Sequence, residues 1–122
     1  MVLLGCKPKG RHTEQHDIFF GIAEEVKALV PAILEFWPEA NGKIHLDAYR
    51  EVNFVSGYQI SIVEKQASEN ENKLFFLNLG GYTKNVFDEA HHKVLVVAKD
   101  ETSAVSEVKK SSFFKQFIMP PN

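Results

Sequence analysis

The feature that most constrains this chain is a repetition within itself. Sliding the sequence by 75 residues places Leu4-Gly5 on Leu79-Gly80, Lys9 on Lys84, Glu14 on Glu89, His16 on His91, Ala23 on Ala98 and Val30 on Val105. Seven positions agree over the 27 residues from Leu4 to Val30 without a gap, where average residue usage gives about two. The order of local signals agrees as well: an apolar run, a Gly, a polar loop, Glu-x-His, a second apolar run and a helical pattern. One structural unit built twice, with a pseudo-two-fold relation between the copies, is therefore expected. The length of 122 residues fits both copies into a single domain, residues 1–122. Its first repeat spans about 2–64 and its shortened second repeat about 74–118.

Each copy can be read locally. Val2-Leu3-Leu4-Gly5 predicts a first strand, followed by a polar loop from Cys6 to Gln15. The run from His16 to Ala23 lacks clean alternation, as in a strand covered on both faces, and Gly21 within it marks a bulge or a close approach by a helix. Val26, Leu29, Val30, Ile33, Leu34 and Trp37 follow helical spacing. Pro31 either kinks that helix or marks where its regular part begins. Pro38 and Asn41-Gly42 end it. Ile44 to Val55 and Tyr58 to Glu64 read as strands joined by a Ser56-Gly57 turn. Residues 66–73 form a polar loop. Strands are expected at Leu74 to Leu79 and at 93–98, then a helix from about Glu101 capped by Asp100. The expected class is α+β: a mixed or mostly antiparallel sheet with two helices.

The motifs LG, EQHD, HLDAY, VSGY, LGGY and ExHxKVLVVAKD, in that order, resemble a bacterial family called domain of unknown function 1543. The resemblance runs from Leu3 to about Lys110. It implies a unit present twice, in agreement with the repeat. Longer members of that family carry a further segment resembling His45-Leu46-Asp47 after the second helix, whereas this chain reads Met119-Pro-Pro-Asn122 there and stops. The second copy is thus expected to be unfinished, leaving a sheet edge that invites pairing with another chain, and homodimerisation follows as an expectation. The family carries no assigned activity, so no catalytic residue can be transferred from it.

Composition narrows the partners. The formal charge of −2 and a pI near 6.2 argue against a nucleic-acid partner, which wants a basic surface. No run reaches the roughly 20 apolar residues of a membrane helix, and Gly5 and Lys7 interrupt the apolar start. A lone cysteine, Cys6, makes a cytoplasmic location the expectation.

The residues best suited to chemistry are the repeated Glu-x-His pairs. Glu14 with His16, and Glu89 with His91, each share one face of an extended chain at i, i+2 spacing. His45 and Asp47 form a third pair with that spacing; Asp17, His12 and His92 lie beside them in sequence. Imidazoles with carboxylates suit a first-row metal, His16 and His91 being the candidate ligands, and such a site could activate water. The same side chains could instead cap strand ends, or titrate as a pH sensor. Neither CxxC nor HExxH is present. Lys7, Lys9 and Arg11 form a candidate anion-binding loop around Gly10, without the spacing of a phosphate loop. Cys6 beside Lys7 is a weak candidate thiolate and reads better as a buried Cys. Phe113, Phe114 and Phe117 beside Lys109, Lys110 and Lys115 form a basic amphipathic end that docks on the domain or meets a partner.

No motif requires a cofactor. The first functional reading is a non-catalytic binding or interaction module, self-associating, that recognises a protein or small-molecule ligand. The alternative is a small metal-dependent or acid–base enzyme using the Glu-x-His pairs. Convergence of those pairs in space favours the alternative; separation disfavours it.

Overall fold

The apolar run Val2-Leu3-Leu4-Gly5-Cys6 is a strand buried at four of its five positions. The computed structural model describes residues 1–64 and 72–111, and the chain divides into two compact units, Met1–Val52 and Asn53–Asn122. Most of the expected loop at 66–73 and the aromatic residues Phe113, Phe114 and Phe117 lie outside the described residues.

In the first unit, β1 (Val2–Cys6) is the central strand of an antiparallel sheet with order β2-β1-β3, flanked by β2 (Gln15–Phe19) and β3 (His45–Tyr49). Val2, Leu4 and Cys6 are at most 1% exposed. Their face meets helix α1 (Val30–Phe36) through Ile33, with Phe19, Leu29, Trp37 and Ile44 packed around. Burial of side chains of this size is worth roughly 1.5–3 kcal/mol each. Phe19 and Phe36 meet edge-to-face, with ring centroids 5.3 Å apart.

The helical segment resolves the ambiguity at Pro31. Val26–Leu29 is a short 3-10 turn, and the regular helix starts at Val30 with Pro31 in its first turn, where the missing N–H removes no helical bond. A second 3-10 turn at Pro38–Ala40 and left-handed Asn41 end it. Gly21 marks a close approach: a Cβ there would lie 2.6 Å from Leu29 Cδ2. The expectation that residues 16–23 form a strand covered on both faces needs correction. Strand β2 ends at Phe19, and its first three residues are exposed. Among the described residues β2 pairs with β1 alone and stands at the edge of its sheet, where exposed Gln, His and Asp fit.

In the second unit, Ser56 and Gly57 both take positive φ (53° and 81°) between β4 (Phe54–Val55) and β5 (Tyr58–Gln59), as a two-residue hairpin turn requires. The expected strand from Ile44 to Val55 is two strands, because β3 pairs with β1 and β4 with β5. Strands β6 (Lys73–Tyr82) and β7 (Glu89–Ala98) form a ten-residue antiparallel pair. β6 continues through Gly80-Gly81, where an end was expected. Helix α2 (Glu101–Lys109) packs Ala104 and Val108 on Val96, with Phe75, Leu77, Leu79, Val94 and Ala98 around them. Asp100 caps it: its carboxylate accepts from the Ser103 N–H at 2.7 Å. That bond holds the Asp100 carboxyl below the usual carboxylate range.

The fold is α+β; among the described residues it has two α-helices and three antiparallel sheets. Among those residues, no helix is long and apolar enough to cross a membrane.

A candidate metal centre over Gly5

Register places the polar side chains. Gly5 stands opposite His16 on β2 and opposite His45 on β3. Directly opposed residues in an antiparallel sheet project to the same face. Val2, Leu4 and Cys6 occupy the core face, so Gly5, His16 and His45 share the other. Glu14, two residues before His16, joins them by strand periodicity. Asp47, two residues after His45, joins them by the same periodicity; beside it the register of β3 shifts, Ala48 pairing with Leu3 and Leu46 with Leu4.

Gly5 is what makes room. A Cβ at that position would lie 2.5 Å from Glu14 Oε1, 2.6 Å from His45 Nε2 and 2.8 Å from Asp47 Oδ2. Three polar side chains, Glu14 just before β2 and His45 and Asp47 on β3, thus fill the space that any other residue on the central strand would occupy. His45 Nε2 meets Glu14 Oε1 directly. His16 Nε2 lies 3.0 Å from Asp47 Oδ2 and 3.7 Å from Glu14 Oε1, and His45 Nε2 lies 3.5 Å from Asp47 Oδ1. One ligand atom each from Glu14, His45 and Asp47 fit within 4.8 Å of one another. The four side chains are 31–54% exposed, so the cluster faces solvent.

Other candidate residues lie elsewhere. Asp17 opposes Leu4 and accepts from the Ile18 N–H at 2.8 Å, on the far side of the sheet from the cluster. Lys7, Lys9, Arg11 and His12 are exposed on the β1–β2 loop, whose turn closes through Arg11 N–H donating to the Pro8 carbonyl. Cys6 is a free thiol at 0% exposure.

The second unit carries a smaller version. Gly80 stands opposite His91, 75 residues beyond the Gly5–His16 pair on both strands. The Glu89 carboxylate lies over Gly80, overlapping the position a Cβ would take. Glu89 Oε1 is 3.4 Å from His91 Nε2, and Tyr82 OH donates to Glu89 Oε2 at 2.6 Å. His91 Nδ1 is 3.0 Å from Asn78 Oδ1; an amide oxygen only accepts, so the Nδ1–H donates to it. The hydrogen bond to Glu89, then desolvation and the carboxylate charge, push the Tyr82 phenol above its ordinary 10.0. His92 opposes Leu79 on the other face of the hairpin, away from Glu89 and His91.

Sequence reasoning identified all these residues except Asn78 and Tyr82. Their signal was spacing: Asn78, Gly80 and Tyr82 alternate along one face of β6.

Residues 11–62 match the family model described as Domain of Unknown Function (DUF1543). That span contains Glu14, His16, His45 and Asp47, and the resemblance drawn from the motifs holds there. The fold is similar to the crystal structure of a protein Il1583 from Idiomarina loihiensis, with a TM-score of 0.68 and 26% identity over 88% of this chain and 67% of that one. No curated protein matches the sequence.

Proposed function

We propose that the first unit is a small metal-binding module that holds a first-row divalent ion, zinc in the first instance, through Glu14, His16, His45 and Asp47. The observation that carries this is the convergence of two imidazoles and two carboxylates over Gly5. Zinc bonds to nitrogen and oxygen of about 2.0–2.2 Å at tetrahedral angles put neighbouring ligand atoms about 3.3 Å apart. The His16–Asp47, His45–Asp47 and His16–Glu14 spacings, between 3.0 and 3.7 Å, bracket that edge, and His45 and Glu14 stand closer than it. Imidazole with carboxylate is a donor set for zinc, iron or manganese rather than for calcium or magnesium, which prefer all-oxygen shells.

Without an ion, the His45 Nε2–H donates to Glu14. Binding replaces that proton with the metal, so protons are released as the ion enters. The solvent-facing side of the cluster leaves room for an exchangeable ligand. That opening supports a second reading, in which the bound ion activates water for hydrolysis. Binding comes first, because the convergence of the donors is the observation in hand.

Metal content of untagged protein purified without chelator tests the reading, together with calorimetric titration of zinc. The expected result is that Glu14→Ala and His45→Ala each hold one ion per chain fewer than the wild type. Equal, weak zinc uptake by wild type and both variants would leave the four side chains as a mutually hydrogen-bonded strand-end cluster and end the metal reading.

A further inference from the structure

The second unit holds half of the donor set found in the first. Glu89 and His91 correspond to Glu14 and His16 at an offset of 75, in the same register over a glycine. The other half of the first cluster, His45 and Asp47, comes from β3. Among the described residues β6 pairs with β7 alone, so nothing described there supplies the equivalent pair.

Glu89 and His91 are nevertheless arranged as ligands. Their facing atoms, Oε1 and Nε2, are 3.4 Å apart, close to the tetrahedral edge of about 3.3 Å. Each is held from behind: Tyr82 binds the other carboxylate oxygen and Asn78 binds the other ring nitrogen. Partners of this kind fix the tautomer and the orientation of metal ligands. Both side chains are exposed, 38% for Glu89 and 45% for His91, so a second molecule can approach them. Two protein ligands fall short of the three or four that hold zinc firmly. A two-fold pair of chains supplies four, two imidazoles and two carboxylates, the same set as in the first unit.

We infer that Glu89 and His91 of two copies of this chain close around one shared divalent ion, giving a metal-bridged homodimer. The inference borrows the ion class from the reading of the first unit but uses none of its residues. A symmetric contact is the common way for one chain to complete a shared site.

The test uses the full chain with His45→Ala, which silences the first cluster, and measures mass in solution with and without zinc chloride. The expected result is a monomer in EDTA, a dimer in zinc, and one tightly held ion per two chains. Adding His91→Ala, or separately Glu89→Gln, which keeps the side-chain shape, should return the protein to monomer in zinc. Zinc-dependent dimers that survive both additions, a monomer at every zinc concentration, or one ion bound per monomer would each overturn the inference. The first-unit reading is scored separately, by zinc uptake of His91→Ala with His45 intact.

Discussion

Two antiparallel strand pairs in this molecule share a register, yet they end in different chemistry. In both, a glycine on one strand faces a histidine on the next, and a glutamate two residues before the histidine lies over the glycine. In the first unit a third strand brings His45 and Asp47 to the same spot, whereas in the second Tyr82 and Asn78 reach Glu89 and His91 from the glycine's own strand. A shared backbone pattern therefore fixes where polar groups gather. The neighbouring strand decides whether they become a four-donor cluster or an oriented pair.

The largest expected effect asks whether the two units are independent at all. Ile33→Ala removes the helix residue seated on Val2 and Leu4 and should cost ~2–5 kcal/mol in the first unit. Trp37 packs on that core, and its fluorescence should show a transition at lower denaturant. Val108→Ala in the second core should leave the Trp37 transition in place; a matching shift would show that both units unfold as one.

Next in size is the loss of zinc binding. Glu14→Ala or His45→Ala should weaken binding at the first cluster by at least ~100-fold, whereas Glu89→Gln should leave that constant alone. Acidification should weaken it too, because protons compete for the imidazole and carboxylate donors.

Filling the glycine gap comes third. Gly5→Val forces Glu14, His45 and Asp47 aside and should cost ~1–3 kcal/mol, with zinc binding lost together with stability. Gly80→Val should displace Glu89 and leave binding at the first cluster intact.

The smallest effects are titrations. Tyr82 should ionise above its ordinary range by ultraviolet absorbance, and Glu89→Gln should bring it back toward that range. The sign follows from a raised folded-state pKa: the stabilisation is complete below the unfolded value of 10.0 and fades as pH climbs through the folded one. Asp100 runs the other way. Its folded-state pKa is lowered, so its contribution is complete above the usual carboxylate range and fades as pH falls through the folded value. Asp100→Asn should flatten that acid limb of the melting curve.

Much of this was legible in the sequence because it is local. The Asp100 cap, the Ser56-Gly57 turn, the closing Pro38 and the close approach at Gly21 each depend on residues a few positions apart. The Glu-x-His spacing was equally visible. What spacing could not show is that β1 lies between β2 and β3, so that Gly5 faces His16 and His45 at once. That arrangement joins residues 31 positions apart, so no local spacing announces it. The exposure of β2 was also hidden, because Ile18-Phe19-Phe20 suggested a covered strand and the edge position overrides that pattern.

The single thiol of the chain offers a built-in clock for one half of the molecule. Cys6 sits at the end of β1 with no accessible surface, so a thiol reagent reaches it only when that strand comes free. The labelling rate would then report how often β1 is released. An ion seated over Gly5, one residue away, should slow that rate in proportion to how tightly it is held.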